Sequence, residues 1–211
     1  MKKIIVPAII AKSQKELTAR IEKVRHYVRL LQLDIMDGRF VPNHSLDFEL
    51  ELPRGVEFEA HLMINNPEDW IDKNRKKVHT ILAHIESCKD PGAIIELLKG
   101  EKRIGFVLNP ETRLESIERY LDQIDQVLIM TVHPGFYGSK FLPEALDKVR
   151  NLREMRPDLD IEVDGGISPD TIERADEAGA NLFVSGSYIV NSDDVKGAVK
   201  KLEDILRGED E

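Results

Sequence analysis

Long apolar runs, cysteine pairs and basic blocks are all missing from this chain. No stretch approaches the roughly 18 consecutive apolar residues of a membrane span. Residues 1–7 carry Lys2 and Lys3 but too short an apolar segment for a signal peptide. The one cysteine, Cys88, excludes an internal disulfide and fits a reducing cytoplasm. The net charge is -9 with no cluster of lysine or arginine, which argues against a nucleic-acid partner and against attraction to an anionic membrane. An anionic ligand would have to be held locally, by backbone N–H groups and helix N-termini. The dinucleotide fingerprint Gly-x-Gly-x-x-Gly is absent, which weighs against a doubly wound open sheet.

What the 211 residues do contain is alternation from end to end. Short apolar runs at 4–10, 30–35, 56–63, 78–85, 104–108, 127–132, 159–163 and 181–184 read as eight strands. Helical stripes lie between most of them. Leu17, Ile21, Val24 and Val28 follow a capping box of Ser13 and Glu16. Leu114, Ile117, Leu121 and Ile124 follow Asn109-Pro110, a cap with proline in the first turn. Ala145, Leu146, Val149 and Leu152 make a third stripe. Ser168-Pro169-Asp170 opens a helix that stops near Gly179, and Val195, Val199, Leu202 and Leu206 line the last one. With no linker, repeat or low-complexity tract, the pattern predicts a single-domain (β/α)8 TIM barrel over residues 1–211, with 208–211 a frayed tail.

In such a barrel, side chains at the C-terminal strand ends share one face. Gln32 and Asp34 are two apart on the second strand and point to the same side. His61 ends the third strand and Asp164 the seventh, so the four form a candidate O/N-rich cluster around a divalent metal. Asp37-Gly38 reads as a turn. Met36, Met63 and Met130 all fall at strand ends, where they would build an apolar wall. Gly165-Gly166 and Gly186-Ser187 follow strands seven and eight, where barrels commonly bind phosphate on backbone N–H groups. Gly135-Phe136-Tyr137-Gly138 reads as a flap with glycine at both ends. His61 and these glycine segments are the expected substrate contacts. His84 reads as a buried strand residue near the site, His133 as a neighbour of the flap, and Trp70 and Cys88 as packing residues.

Five segments in register make the chain resemble the ribulose-phosphate 3-epimerase family. They are Leu33-Asp34-Ile35-Met36-Asp37-Gly38-Arg39-Phe40-Val41-Pro42-Asn43, Ala60-His61-Leu62-Met63, Met130-Thr131-Val132-His133-Pro134-Gly135-Phe136, Val163-Asp164-Gly165-Gly166-Ile167 and Gly186-Ser187. The resemblance covers nearly the whole chain and implies a cytoplasmic enzyme of the pentose phosphate pathway. That enzyme would interconvert D-ribulose 5-phosphate and D-xylulose 5-phosphate. It further implies Asp34 and Asp164 as acid and base on opposite faces of the substrate. A metal-stabilised enediolate would lie between them, with a divalent ion (Zn, Fe, Mn or Mg) held by Gln32, Asp34, His61 and Asp164. Three departures stand out: Gln32 replaces the family's first metal-ligand histidine, Ala8 replaces a serine that touches substrate, and Tyr137 and Ser139 replace the flap's usual glycine and glutamine. They keep two alternatives open: a sugar-phosphate-binding homologue without turnover, and an epimerase of another ketose phosphate such as allulose 6-phosphate. A phosphosugar decarboxylase ranks last, because Asp34-Ile35-Met36-Asp37 has no lysine between its acids. The sequence leaves homo-oligomerisation open.

Overall fold

Pro7 decides how the sheet closes. It has no N–H to give to a ladder, and at this residue the first strand changes partners. In the computed structural model, which describes residues 1–135 and 138–209, the expected strand 4–10 is two pieces: β1 (Ile4–Val6) and β2 (Ala8–Ile9). Three further long strands follow, β3 (Leu30–Asp37), β5 (Glu57–Met63) and β6 (Thr80–His84), with the short β4 (His44–Ser45) between the first two. The remaining strands are β7 (Arg103–Leu108), β8 (Gln126–Met130), β9 (Asp160–Asp164) and β10 (Leu182–Val184). Every pairing is parallel except that of β4, which folds back antiparallel on β3. The order runs β1-β10-β9-β8-β7-β6-β5-β3-β2. Because β1 and β2 are halves of one strand, the sheet closes into an eight-stranded barrel.

Helices α1 (Gln14–Val24), α2 (Glu68–Asn74), α3 (Pro91–Leu98), α4 (Leu146–Met155), α5 (Ile172–Glu177), α6 (Ser187–Val190) and α7 (Val195–Arg207) make the crossovers. The Ser13 side chain accepts from Glu16 N–H as expected, but Glu16 reaches back to Lys12 N–H rather than to the cap residue itself. Two expectations need correction. The stripe from Leu114 to Ile124 does not form an α-helix; it forms the 3-10 turns Leu114–Ser116 and Glu118–Tyr120. The Lys148 ammonium takes the carbonyls of Asn109, Pro110 and Thr112, which a helix opening at Pro110 would have used in its first turn. The helix expected at Ser168 begins later, at Ile172, because Ser168 N–H donates to the Thr171 hydroxyl and holds a turn there. At the C-terminus Gly208, left-handed at φ 70, and Glu209 close the last turn of α7 through their N–H groups; Asp210 and Glu211 lie outside the described residues. No helix among the described residues is long and apolar enough to cross a membrane.

Strand alternation sorts the core into two shells. Leu31, Leu33, Ile35, Phe58, Ala60, Leu62, Ile161 and Val163 face the helices in one large cluster. The alternate positions fill the barrel, where Leu82, Val107, Leu128, Met130 and Val132 form a second apolar group. Val6, Ala8, Leu30, Leu182 and Val184 form another, and between these groups the polar interior residues are arranged in two levels. The lower level holds Glu59, Gln126 and Glu162, all buried. The upper level, two residues further along the strands, is the site described below.

In the lower level the Gln126 amide donates to Glu162 at 2.6 Å and to Glu59 at 3.4 Å. Burial pushes the Glu59 carboxyl up to about 7 and, together with the neighbouring Glu59 charge, raises Glu162 well above the usual range. A carboxyl raised in the folded state contributes stability that is complete below its unfolded value near 4.5 and is lost as pH rises through about 7. Thermal unfolding should therefore occur at lower temperature at pH 8 than at pH 5. Glu59→Gln, which cannot ionise, should shrink that difference by several degrees, on the order of 2–3 kcal/mol. An unchanged difference in calorimetry would mean that Glu59 is ionised at no cost.

Candidate active site

Ladder register brings the site together. Asp34 pairs with His61 and Met36 with Met63 across β3 and β5, while Asp164 on β9 lies between Met130 of β8 and Val184 of β10. The inward alternation of these strands then turns Asp34, His61 and Asp164 into one pocket at the C-terminal mouth of the barrel. The same pocket is lined by Met36, Met63 and Met130, by Gly135 and Gly138, and by Gly165, Gly166, Gly186 and Ser187. Phe136 and Tyr137 lie outside the described residues. Gln32 does not line the pocket; it is fully buried beneath it and touches all three polar groups from below.

The turns around the mouth have identifiable causes. Asp37 is a structural residue, as its reading as a turn required: its carboxylate accepts the N–H groups of Arg39, Phe40 and Asn65. Gly38, at φ 70, has no room for a side chain, since a Cβ would lie 2.1 Å from the His44 ring. At Gly165, φ 118, a Cβ would strike Val132 at 2.4 Å. The Thr131 hydroxyl donates to the Gly165 carbonyl at 2.6 Å and fixes that turn. His133 is not part of the pocket lining; it is exposed and pairs with Glu111 at 2.6 Å. Trp70 and Cys88 are partly buried against the outer core.

The polar heads sit close together. Gln32 Nε2 donates to Asp34 Oδ1 at 2.9 Å and to Asp164 Oδ2 at 2.8 Å, and lies 3.3 Å from His61 Nδ1. His61 Nδ1 is in turn 3.3 Å from Asp34 Oδ1 and 3.2 Å from Asp164 Oδ2. Burial raises the Asp34 carboxyl, more than its hydrogen bonds to His61 and Gln32 lower it. Burial works against charge on His61 too, but hydrogen bonds to Asp164 and Asp34 outweigh it and hold the imidazolium up to about 9.

These residues fit a divalent cation. One donor atom each from Asp34, His61 and Asp164 lies within 4.8 Å of the others, so the cluster could hold a metal ion. The spacings of about 3 Å among the four heads are those between neighbouring ligands on one ion. Gln32 Oε1 is buried with no hydrogen-bond partner among the described residues. A half-turn of the amide exchanges Oε1 with Nε2 and brings that orphaned oxygen to the vertex facing the other three heads.

Beyond His61 the site continues through residues outside the expected set. His61 Nε2 lies 2.9 Å from His84 Nε2, and His84 Nδ1 lies 3.3 Å from Glu86 Oε2. Burial pulls His84 down to about 4, so it is neutral. Burial raises the Glu86 carboxyl less than hydrogen bonds from His84, Thr112 and Asn109 lower it, leaving it at about 2 and ionised. The lower pair Glu59 and Glu162 was likewise not anticipated. Polar residues at inward positions of otherwise apolar strands were the available signal for His84, Glu59 and Glu162; Glu86, on the turn after β6, carried no such signal.

Fold and site define a (β/α)8 barrel with a carboxylate–imidazole cluster at the mouth where barrel enzymes do their chemistry. The chain belongs to the ribulose-phosphate 3-epimerase family, whose profile matches residues 4–190. It is 39% identical over 183 residues to the ribulose-phosphate 3-epimerase of Bacillus subtilis, covering 82% of this chain and 84% of the relative. The Eremothecium gossypii ribulose-phosphate 3-epimerase is 34% identical over 230 residues, with 99% and 95% covered. Among solved structures, the fold matches 3-keto-L-gulonate-6-phosphate decarboxylase from Vibrio cholerae with a TM-score of 0.70 at 13% identity, covering both chains fully at 100%. The relatives are carbohydrate epimerases, and they support an epimerase function for this chain.

Gln32→His should tighten binding of Mn(II) or Zn(II) by roughly tenfold or more, because imidazole is the better ligand for such ions. Calorimetric titration of the two proteins checks this, and equal affinities would remove Gln32 from the ligand set.

Proposed function

We propose that the protein is a ketose-phosphate 3-epimerase that interconverts D-ribulose 5-phosphate and D-xylulose 5-phosphate by proton transfer between two aspartates. The observation that carries this reading is the meeting of Asp34 and Asp164, from strands on different sides of the barrel, on one buried amide. One carboxylate removes the proton at carbon 3, next to the ketone. A cis-enediolate results, and the other carboxyl returns a proton to the opposite face. The direction of reaction decides which aspartate acts first.

Burial makes Asp34 a stronger base than a solvated carboxylate, which suits it to a weakly acidic C–H. His61 would serve that chemistry as a neutral imidazole, with its Nδ1 lone pair free for an ion and its proton on Nε2. A divalent ion held by Asp34, His61, Asp164 and the amide oxygen of Gln32 supplies, when bound, Lewis-acid stabilisation of the enediolate oxygens. Met36, Met63 and Met130 form an apolar wall that keeps water from the reacting carbon. Gly165, Gly166, Gly186 and Ser187, which follow β9 and β10, are assigned to the substrate phosphate. Gly135 and Gly138 are assigned to a flap, with Phe136 and Tyr137 between them. Binding energy from the phosphate orients a carbon several bonds away. The single, partly buried Cys88 supports a cytoplasmic location.

The purified protein should convert D-ribulose 5-phosphate to D-xylulose 5-phosphate in a coupled assay supplied with a divalent ion. Asp34→Asn and Asp164→Asn should each lower turnover by roughly 100-fold or more while unfolding cooperatively. Near-wild-type turnover in both variants would sink the two-aspartate mechanism. Binding of the sugar phosphate without turnover in wild type would favour the non-catalytic alternative motivated by Gln32 and Ala8.

A further inference from the structure

A line of hydrogen bonds runs outward from the buried reaction centre to Glu86 near the surface, and its polarity is set at that far end. Glu86 on the turn after β6 accepts three donors. Its Oε1 takes the Asn109 N–H at 2.9 Å and the Thr112 hydroxyl, and its Oε2 faces His84 Nδ1 at 3.3 Å. The loop that supplies Asn109 and Thr112 is itself held by the Lys148 ammonium through three carbonyls. An ionised carboxylate can only accept, so His84 must carry its proton on Nδ1 and present a lone pair at Nε2. That lone pair faces His61 Nε2 at 2.9 Å, so His61 must carry a proton there. The two rings are 20° from parallel with centroids 5.0 Å apart. That separation suits imidazoles joined edge to edge through one N···N bond rather than stacked face to face. The Phe40 ring, 4.7 Å from His84 by centroid, closes off one side.

We propose that His84 and Glu86 are positioning residues, which keep His61 protonated at Nε2 and its ring oriented so that its Nδ1 faces Asp34 and Asp164. The proposal rests on the reading of Asp34, His61 and Asp164 as the reaction centre. Among the described residues neither His84 nor Glu86 lines the pocket. Their effect is carried entirely through His61, as outer partners of ligating histidines generally act.

Glu86→Gln makes a sharp test because the surroundings dictate how the new amide sits. Asn109 N–H and the Thr112 hydroxyl both donate, so the amide oxygen must turn to them and the amide N–H2 must face His84 Nδ1. His84 then has to accept at Nδ1 and carry its proton on Nε2, where it opposes the Nε2 proton of His61. Long-range proton–nitrogen NMR of histidine-labelled protein reads these tautomers without substrate. The expected result is His84 protonated at Nδ1 in wild type and shifted to Nε2 in Glu86→Gln. Mn(II) affinity should fall about 10–100-fold in the variant, and kcat should fall with KM little changed. Thr112→Val removes one donor to Glu86 but leaves the carboxylate, and should keep the wild-type tautomers.

A wild-type His84 protonated at Nε2 overturns the proposal whether or not the variant folds. So does a folded Glu86→Gln protein with unchanged tautomers and Mn(II) affinity. The expected tautomers and lost affinity, in a wild-type protein without ketose-phosphate turnover, would support the positioning chain and count against the epimerase reading.

Discussion

Two buried carboxylates facing one another are the constraint around which this barrel is organised. Asp34 and Asp164 come from strands far apart in sequence, and placing both in a low-dielectric pocket is costly unless something between them carries positive charge or N–H groups. Gln32 supplies both hydrogens of one amide to the pair, and His61 adds an imidazolium edge at 3.2–3.3 Å. The four heads satisfy one another except at Gln32 Oε1. The same groups that bond to one another are those that would hold a divalent ion.

The barrel interior repeats this solution one level down. Glu59, Gln126 and Glu162 again set an amide between two acids, and there burial raises both carboxyls. Strand periodicity ties the two levels together, since Glu59 and His61, and Glu162 and Asp164, are alternate residues of single strands. Outside the strands the helices meet an uninterrupted apolar shell, which is why this much polarity can be carried inside without loosening the fold.

Much of this was legible in the sequence, for physical reasons that differ by element. Strand positions were read to within a few residues because buried parallel strands are continuous apolar runs. The convergence of Asp34, His61 and Asp164 followed from their place at strand ends once a barrel was assumed. The break at Pro7 was readable in principle, as proline cannot serve the ladder on both sides. The stripe from Leu114 to Ile124 misled, because its periodicity is real and three of its four members are buried, but Lys148, some 30 residues on, takes the carbonyls the helix needed. His84 was read as a buried strand residue near the site; its bond to His61 depends on which strands become adjacent and in what register. That Gln32 bridges two acids, rather than only standing in a ligand's place, is a side-chain fact with no trace in local pattern.

In the proposed mechanism Asp34 and Asp164 exchange the proton at carbon 3 of a ketose phosphate with solvent. Proton NMR of D-ribulose 5-phosphate in deuterated water tests it most directly, with the purified protein alone and with Zn(II), Mn(II), Fe(II) or Mg(II). The account predicts loss of the carbon-3 proton signal in step with the appearance of D-xylulose 5-phosphate deuterated at that carbon. Retention of the carbon-3 proton with every ion would contradict it.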